Sequence, residues 1–493
     1  MKINLAGYNV DVDALARAIK QDVWRAQDAE SWALTPEVIS AAYARISRDA
    51  ASVDVLRGKA AKNVAKARKS NEAIIFDMGH ASVSEHGVFN FDVIDVSRLI
   101  IEAIEHARLA SYTEKSQRYI TFDREKDEFV VPFEIADAGL EGQFRDFVRE
   151  THDQYHFILG CIKDQERPQG GSAMEDARYV TTLAVTGQLG MTLNARSLEV
   201  MVRRLRSHHL HEAQQIGQEL HDLVKDVAPS LVKYTEPEPL RQNLLTHIRK
   251  AVHLNLKADP RGLSHVQMLT APGKDGEGDD FVLATLIHQA SMAPFNVCHA
   301  TVNQMAPEMK FMMLRDLFMD MDRWSAMPRQ WEMGEFTFEL VVSASCFAQL
   351  KRHRMATLLP QDYDPSLGYV VPTSIQQHDK AHERFHAVMR ASESFYRKLQ
   401  RHCLPGTADY ALTQSHRRRV LVKMNARELY AFSRLREDGH AQWEIRDAAH
   451  VMLGYAREVM PLTMALACGK DKFEDLKNKL LSVQTEDKTA VTT

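Results

Sequence analysis

Paired cysteines are missing from this sequence: its five cysteines (Cys161, Cys298, Cys346, Cys403, Cys468) are scattered, odd in number and form no Cys-x-x-Cys motif. That pattern excludes a disulfide framework or a cysteine-rich zinc site, and suits small buried hydrophobes in a reducing compartment. None has an activating partner nearby in sequence, so no cysteine nucleophile is expected. Long apolar runs are missing too, and Met1-Lys2-Ile3-Asn4-Leu5 begins no secretory apolar core. A cytoplasmic protein without a membrane partner is therefore expected. Excess positive charge is absent: 62 Lys+Arg against 66 Asp+Glu leave a formal net charge of -4. General nucleic-acid binding needs a broad basic surface and is not expected. What remains is ordinary globular composition, 45% hydrophobic and 26% charged, in 493 residues. A chain of that length exceeds one core.

Three pairs of segments recur in the same order. Phe89-Asn90-Phe91-Asp92-Val93 is matched by Phe336-Thr337-Phe338-Glu339-Leu340. Both alternate apolar and polar residues, as half-buried strands do. Glu128-Phe129-Val130-Val131-Pro132-Phe133 is matched by Gly368-Tyr369-Val370-Val371-Pro372-Thr373, and Leu193-Asn194-Ala195-Arg196 by Met424-Asn425-Ala426-Arg427. Helical segments rich in Ala, Leu, Arg and Glu follow the third pair. The expected organisation is α+β: two tandem units, residues 1–235 and 243–481, each a mainly antiparallel sheet with flanking helices. Lys233–Pro239 reads as a solvated linker, and the tail 482–493, which lacks apolar periodicity, as disordered. The glycines of Pro272–Asp280 follow no clear strand in the sequence, so no dinucleotide fingerprint is read there.

Polar residues cluster at a few places. Gln349-Leu350-Lys351-Arg352-His353-Arg354 puts two arginines around a histidine. Arginine forks grip phosphate or carboxylate, though a lone basic run is usually solvated surface. In Thr113-Glu114-Lys115-Ser116-Gln117-Arg118, Ser116 and Arg118 would share a face if extended, and a hydroxyl beside a guanidinium suits phosphate. Gly79-His80-Ala81-Ser82-Val83-Ser84-Glu85-His86 reads as a turn entering a strand, or as a ligand set. Its spacing is not that of a His-Glu-x-x-His zinc helix. No metal is expected at His208, His209 and His211, which lack a carboxylate or Cys partner at ligand spacing, and His378, His382 and His386 read as a solvated helix face. From Asn425 to Arg436 is three helical turns, at about 100° per residue, so both fall on one face. Trp443 and Ile445 read as core.

Taken together these segments resemble the flavin-dependent thymidylate synthases (the ThyX family). That family's hallmark is Arg-His-Arg, then Ser after two residues, Ser after four more, and Arg after one. A Gly-His-x-Ser-x-x-Glu-His segment precedes it, and an Asn-Ala-Arg helix ending in Arg and His-Ala-Gln-Trp-Glu-Ile follows. Neither repeat holds the whole pattern. The first has His106-Ala107-Arg108 in place of Arg-His-Arg but keeps Ser111, Ser116 and Arg118. The second keeps Arg352-His353-Arg354 but has Thr357, Asp362 and Asp364 afterwards, and an aspartate pair would repel phosphate. Gln349 and Arg436 align with Ala103 and Leu205; Gly79, His80 and Arg178 align with Ala326, Met327 and Asp409.

The losses are complementary, and the expectation is one composite site drawing on both repeats. The resemblance implies dUMP methylation to dTMP, with FAD as cofactor and NADPH and methylenetetrahydrofolate as co-substrates. It implies that Arg352, His353, Arg354, Asn425 and Arg427 hold FAD, with Ser47, His80 and Ser82 beside the flavin or folate. It implies that Gln349, Glu114, Ser116, Gln117, Arg118 and Arg178 bind dUMP, and that Arg436 lies against the uracil as the catalytic cation. A homodimer, a pseudo-tetramer of repeats, is implied as well. The alternatives are a related flavoenzyme methylating or hydroxymethylating another pyrimidine nucleotide, and a non-catalytic nucleotide-binding protein.

Overall fold

The computed structural model describes residues 1–20, 33–123, 126–164, 172–252, 264–274, 276–403 and 405–486. Two four-stranded antiparallel sheets carry the expected repeat. The first joins β1 (Lys2–Tyr8), β2 (Val88–Ser97), β3 (Ala110–Glu114) and β4 (Thr186–Asn194) in the order β1-β2-β4-β3. The second joins β5 (Val266–Thr270), β6 (Glu335–Ser343), β7 (Thr357–Pro360) and β8 (Arg417–Asn425) in the order β5-β6-β8-β7. The alternation read in the sequence is the alternation of the pleat. Phe89, Phe91 and Val93 are fully buried while Asn90 and Asp92 face out, and Phe336, Phe338 and Leu340 do the same in β6. The α+β class, with flanking helices on each sheet, follows from these elements.

The two central strands differ in one respect. β2 shifts register between Ile94 and Val96, and Asp95 at the bulge has φ 56°, whereas the β6–β8 pairing runs without a shift. A bulge residue in the left-handed region re-aims its neighbours and ends regular pairing.

Packing divides the described chain into two compact units that do not follow the sequence halves. Unit 1 comprises residues 1–153, 181–257 and 390–412; unit 2 comprises 154–180, 258–389 and 413–493. In unit 1, Leu399, Ala408, Tyr410 and Ala411 from the second repeat join a core with Phe144, Ile216 and Leu220. Unit 2 in turn takes Tyr179 from the first repeat, fully buried and stacked on Trp443 at 5.8 Å.

Other expectations are adjusted by the fold. Lys233–Pro239 is non-helical up to the helix Pro239–Val252 and largely exposed, but it is pinned at several points. Lys233 and Tyr234 donate their backbone N–H to Glu199, and Arg206 donates to the carbonyl of the buried Thr235. Pro272–Asp280 does follow a strand, β5, and it leads into the helix Glu277–Ala290. Three acids, Glu277, Asp279 and Asp280, fill that helix's first turn, which disfavours an anion there. Position 275 of this loop lies outside the described residues. The last helix, Phe473–Glu486, runs through the start of the tail expected to be disordered, and 487–493 lie outside the described residues. No helix among the described residues is long and apolar enough to cross a membrane. The five cysteines are unbridged, with Cys298, Cys346 and Cys468 buried.

Candidate functional site

In unit 2 a short helix, Ala344–Leu350, carries the Arg-His-Arg turn at its C-terminal end. Its N-terminus is fixed twice. The Ser343 hydroxyl accepts from the Cys346 N–H (3.1 Å), and Ser343 donates its own N–H (2.9 Å) and hydroxyl (2.5 Å) to Glu444. A carboxylate there also complements the positive end of the peptide dipoles. Tyr179 closes the arrangement by donating its hydroxyl to Glu444 (2.8 Å), while Gln442 donates to that hydroxyl (2.8 Å). Trp443 is accordingly only half buried, and its indole N–H donates to Asp176 (3.1 Å).

The helix's C-terminal end is held by Arg436. Its guanidinium donates to the Gln349 carbonyl (3.0 Å), to Gln349 Oε1 (3.1 Å) and, through Nε, to His353 Nε2 (2.8 Å). His353 is only 6% exposed. Burial first, then the nearby Arg436 and Arg352, hold its imidazole below the usual histidine range, although Glu428 pulls the other way. Its ring meets Phe432 edge-on at 4.7 Å, and Nδ1 lies 3.6 Å from Glu428. Around it Arg352 is exposed and Arg354 half-buried. Gln349, His353 and Arg436, predicted as site residues, are thus in direct contact.

The other expected residues of unit 2 are placed as follows. Arg178 is buried within this unit, next in sequence to Tyr179. Asn425 does not point its amide at the same place as Arg436: its Oδ1 caps the helix Ala426–Arg436 by accepting from the Glu428 N–H (2.8 Å). Arg427 donates to the Met327 carbonyl (2.7 Å) and to Glu332 (2.8 Å). Asp364 accepts from the Ser366 N–H and caps a short 3-10 turn.

Unit 1 holds the remaining candidates. Ser47, His80 and Ser82 are all exposed, and Arg48 reaches Met78 Sδ at 3.7 Å, which brings the Ser47 turn beside the Gly79-His80 turn. Glu114 forms a buried ion pair with Arg98. Ser116 and Arg118 do not share the face of an extended strand: residues 117–119 turn, and the Ser116 hydroxyl accepts from the Arg118 N–H (3.2 Å). Ser116 and Gln117 line a small cavity of about 50 Å³ with Asp95, Lys115 and Gln188.

Unit 1 repeats the helix clamp with other residues. Glu212 accepts from the Ser97 N–H, the Ser97 hydroxyl and the Tyr410 hydroxyl, each at 2.7 Å. At the other end of the helix Arg98–Glu105, Arg204 donates to the Ala103 carbonyl (2.6 Å) and meets His106 Nδ1 (2.9 Å). Arg204, one position before the counterpart of Arg436, makes both the clamp and a histidine contact, the latter to His106, one position before the counterpart of His353. The two Glu–Ser–Tyr nodes escaped the sequence reading. The signal for them was a Ser at the end of each alternating strand and a Glu at the start of each later helix.

The histidine clusters have local roles. His208 Nδ1 accepts from the Leu210 N–H and its imidazole is pushed down to about 3, chiefly by burial. His382 and His386 are half-buried rather than solvated, with Tyr369 on His386 (2.7 Å). Among the described residues no group of three His, Cys, Asp or Glu side chains converges as a metal site would.

The sequence matches the family described as thymidylate synthase complementing protein over residues 31–230 and 286–462. A UPF0159 protein of Thermoplasma acidophilum is 21% identical, with 79% of this chain and 86% of that one covered. A flavin-dependent thymidylate synthase of Clostridium tetani is 29% identical over 42% of this chain and 85% of its own. Among solved structures, flavin dependent thymidylate synthase ThyX from Helicobacter pylori, complexed with FAD and dUMP, is similar at 16% identity. Its TM-score is 0.33, with 48% of this chain and 100% of that one covered.

Proposed function

This chain belongs to the thymidylate synthase complementing protein (ThyX) family, as a tandem of two repeats, and on that footing we propose that it methylates dUMP to dTMP. The co-substrates would be methylenetetrahydrofolate and NADPH, and the cofactor FAD. The observation that carries this reading is the Arg436 guanidinium, fixed by three acceptors on the Arg-His-Arg helix. A cation held that rigidly can stabilise negative charge on a pyrimidine ring without reorganising during the reaction.

The donor chemistry of unit 2 suits FAD. Arg352 and Arg354 flank the buried His353 and offer forked donors of the kind that bind a diphosphate. When bound, FAD supplies the redox chemistry that protein side chains lack. Gln349, Glu114, Ser116, Gln117, Arg118 and the buried Arg178 are assigned to dUMP. Ser47, His80 and Ser82 are assigned to the flavin or folate, Asn425 and Arg427 to FAD. Two of the thiols are poor nucleophiles: burial pushes Cys346 far up and Cys468 to about 11. A homodimer, giving four repeats, is the assembly proposed by analogy.

Growth rescue of a thymidine-requiring strain tests substrate, cofactor use and product together; lack of rescue by well-expressed, yellow protein would favour another pyrimidine or a hydroxymethyl product. A colourless protein without flavin fluorescence would favour the non-catalytic reading. Because each repeat lacks hallmark residues that the other keeps, purified protein is expected to carry about one tightly bound FAD per chain, a count read from flavin and protein absorbance together. Two per chain would mean that both repeats remain competent.

A further inference from the structure

One face of the helix Ala426–Arg436 reads His353 from both ring nitrogens. Glu428, Phe432 and Arg436 are spaced i, i+4 and i+8 and form one stripe on that helix. Arg436 Nε can only donate, so His353 Nε2 at 2.8 Å must accept and carries no proton. The single ring proton of the neutral imidazole then sits on Nδ1, the nitrogen that faces Glu428 Oε1 at 3.6 Å. That separation is a charge–dipole contact rather than a hydrogen bond. It is made between side chains only 6% and 15% exposed, where such a contact is weakly screened. Phe432 meets the ring edge-on and limits its rotation.

The first repeat supplies an internal comparison. At the positions of Glu428, Phe432, Arg436 and His353 it has Ser197, Met201, Leu205 and Ala107. The four members are together in one repeat and all replaced in the other, as expected of a group that acts as one device.

We propose that Glu428 is a positioning residue: it holds His353 in the Nδ1–H tautomer, so that Nε2 fixes the plane of the Arg436 guanidinium. The proposal rests on the catalytic assignment of Arg436 above, but its first test does not depend on activity. Without the carboxylate, the Nε2–H tautomer becomes accessible, and in that form Nε2 cannot accept from Arg436. Protonating the ring has the same consequence and adds repulsion. The charged groups facing the ring are Glu428 and Arg436 from the helix and Arg352 from its own turn. Of these only Glu428 favours the protonated form, so its removal moves the ring's titration to lower pH.

The test uses full-length protein labelled with ¹⁵N-histidine, with the His353 signals assigned by their loss in His353→Gln. Wild type should show Nδ1–H and an unprotonated Nε2. Glu428→Gln should show mixed tautomers and a lower titration midpoint, while Glu428→Asp, which keeps the charge, should retain the wild-type tautomer. In the methylation assay, Glu428→Gln should lower kcat about tenfold or more with KM for dUMP within about twofold, since misplacing a catalytic group costs turnover rather than binding. The acid limb of its pH profile should move to lower pH. An Nε2–H tautomer in wild type, or an unchanged tautomer and midpoint in Glu428→Gln, would overturn the proposal. If wild type fails to methylate dUMP, the assignment of Arg436 falls while the tautomer result still decides the role of Glu428.

Discussion

Arg436→Ala is expected to abolish dTMP formation while the protein remains folded, and Arg204→Ala is expected to leave most activity in place. Removing one preorganised charge-stabilising donor typically costs about 3–4 kcal/mol of transition-state stabilisation, a loss of several hundredfold in kcat. The folding cost is smaller. Arg436 leaves three acceptors behind, of which the Gln349 side chain can turn to water, so a loss of about 1–3 kcal/mol is expected. Arg204 also clamps a helix end, through the Ala103 carbonyl and His106, and its removal should cost comparable stability. The two variants therefore match in melting temperature and differ in turnover, which separates chemistry from scaffolding. Equal loss of activity in both would mean that the repeats are functionally equivalent, against the asymmetry read from Leu205, Ala103 and Ala107.

Glu444→Ala should be strongly destabilising to unit 2. Its carboxylate accepts from the Ser343 N–H, the Ser343 hydroxyl and the Tyr179 hydroxyl, and Tyr179 is fully buried. Deleting it strands three donors in a region closed to water, at a cost on the order of 4 kcal/mol or more. Activity should fall as well, because Tyr179 anchors the stretch that carries Arg178. Glu212→Ala should destabilise unit 1 by a similar amount, since Ser97 and Tyr410 make the same three bonds. Chemical denaturation followed by tryptophan fluorescence would report the first change directly, since Trp443 stacks on Tyr179. A midpoint within error of wild type for Glu444→Ala would mean that water replaces the carboxylate and that the node carries little stability.

The parts of this architecture that were legible in the sequence are those set by local periodicity and capping chemistry. Phe89-x-Phe91 and Phe336-x-Phe338 announce buried strand faces, and Asn194 and Asn425 sit where helices begin and do cap them. Contact among Gln349, His353 and Arg436 was legible only through the resemblance, because nothing in the spacing joins residues over eighty positions apart. Two features were not legible. No motif or periodicity marks Tyr179 or Tyr410 as core residues or shows which unit they join, so the placement of residues 154–180 and 390–412 was invisible. Ser116-Gln117-Arg118 reads equally as strand or turn, and the Ser116 hydroxyl's bond to the Arg118 N–H decides for the turn.

The placement of residues 390–412 in unit 1 also sets a timetable for synthesis. Leu399, Ala408, Tyr410 and Ala411 belong to a core whose other buried members lie between Ile3 and Val232. A ribosome making this chain therefore releases the second repeat as far as residue 412 before the first can finish packing. Until then the partly assembled unit 1 exposes the apolar surface those residues will cover, the condition under which nascent chains need chaperones and aggregate. Cutting the gene in the segment after residue 235 would leave an N-terminal product without the pieces that complete its core. The fusion of the two repeats thus keeps the pieces that complete each core on one chain.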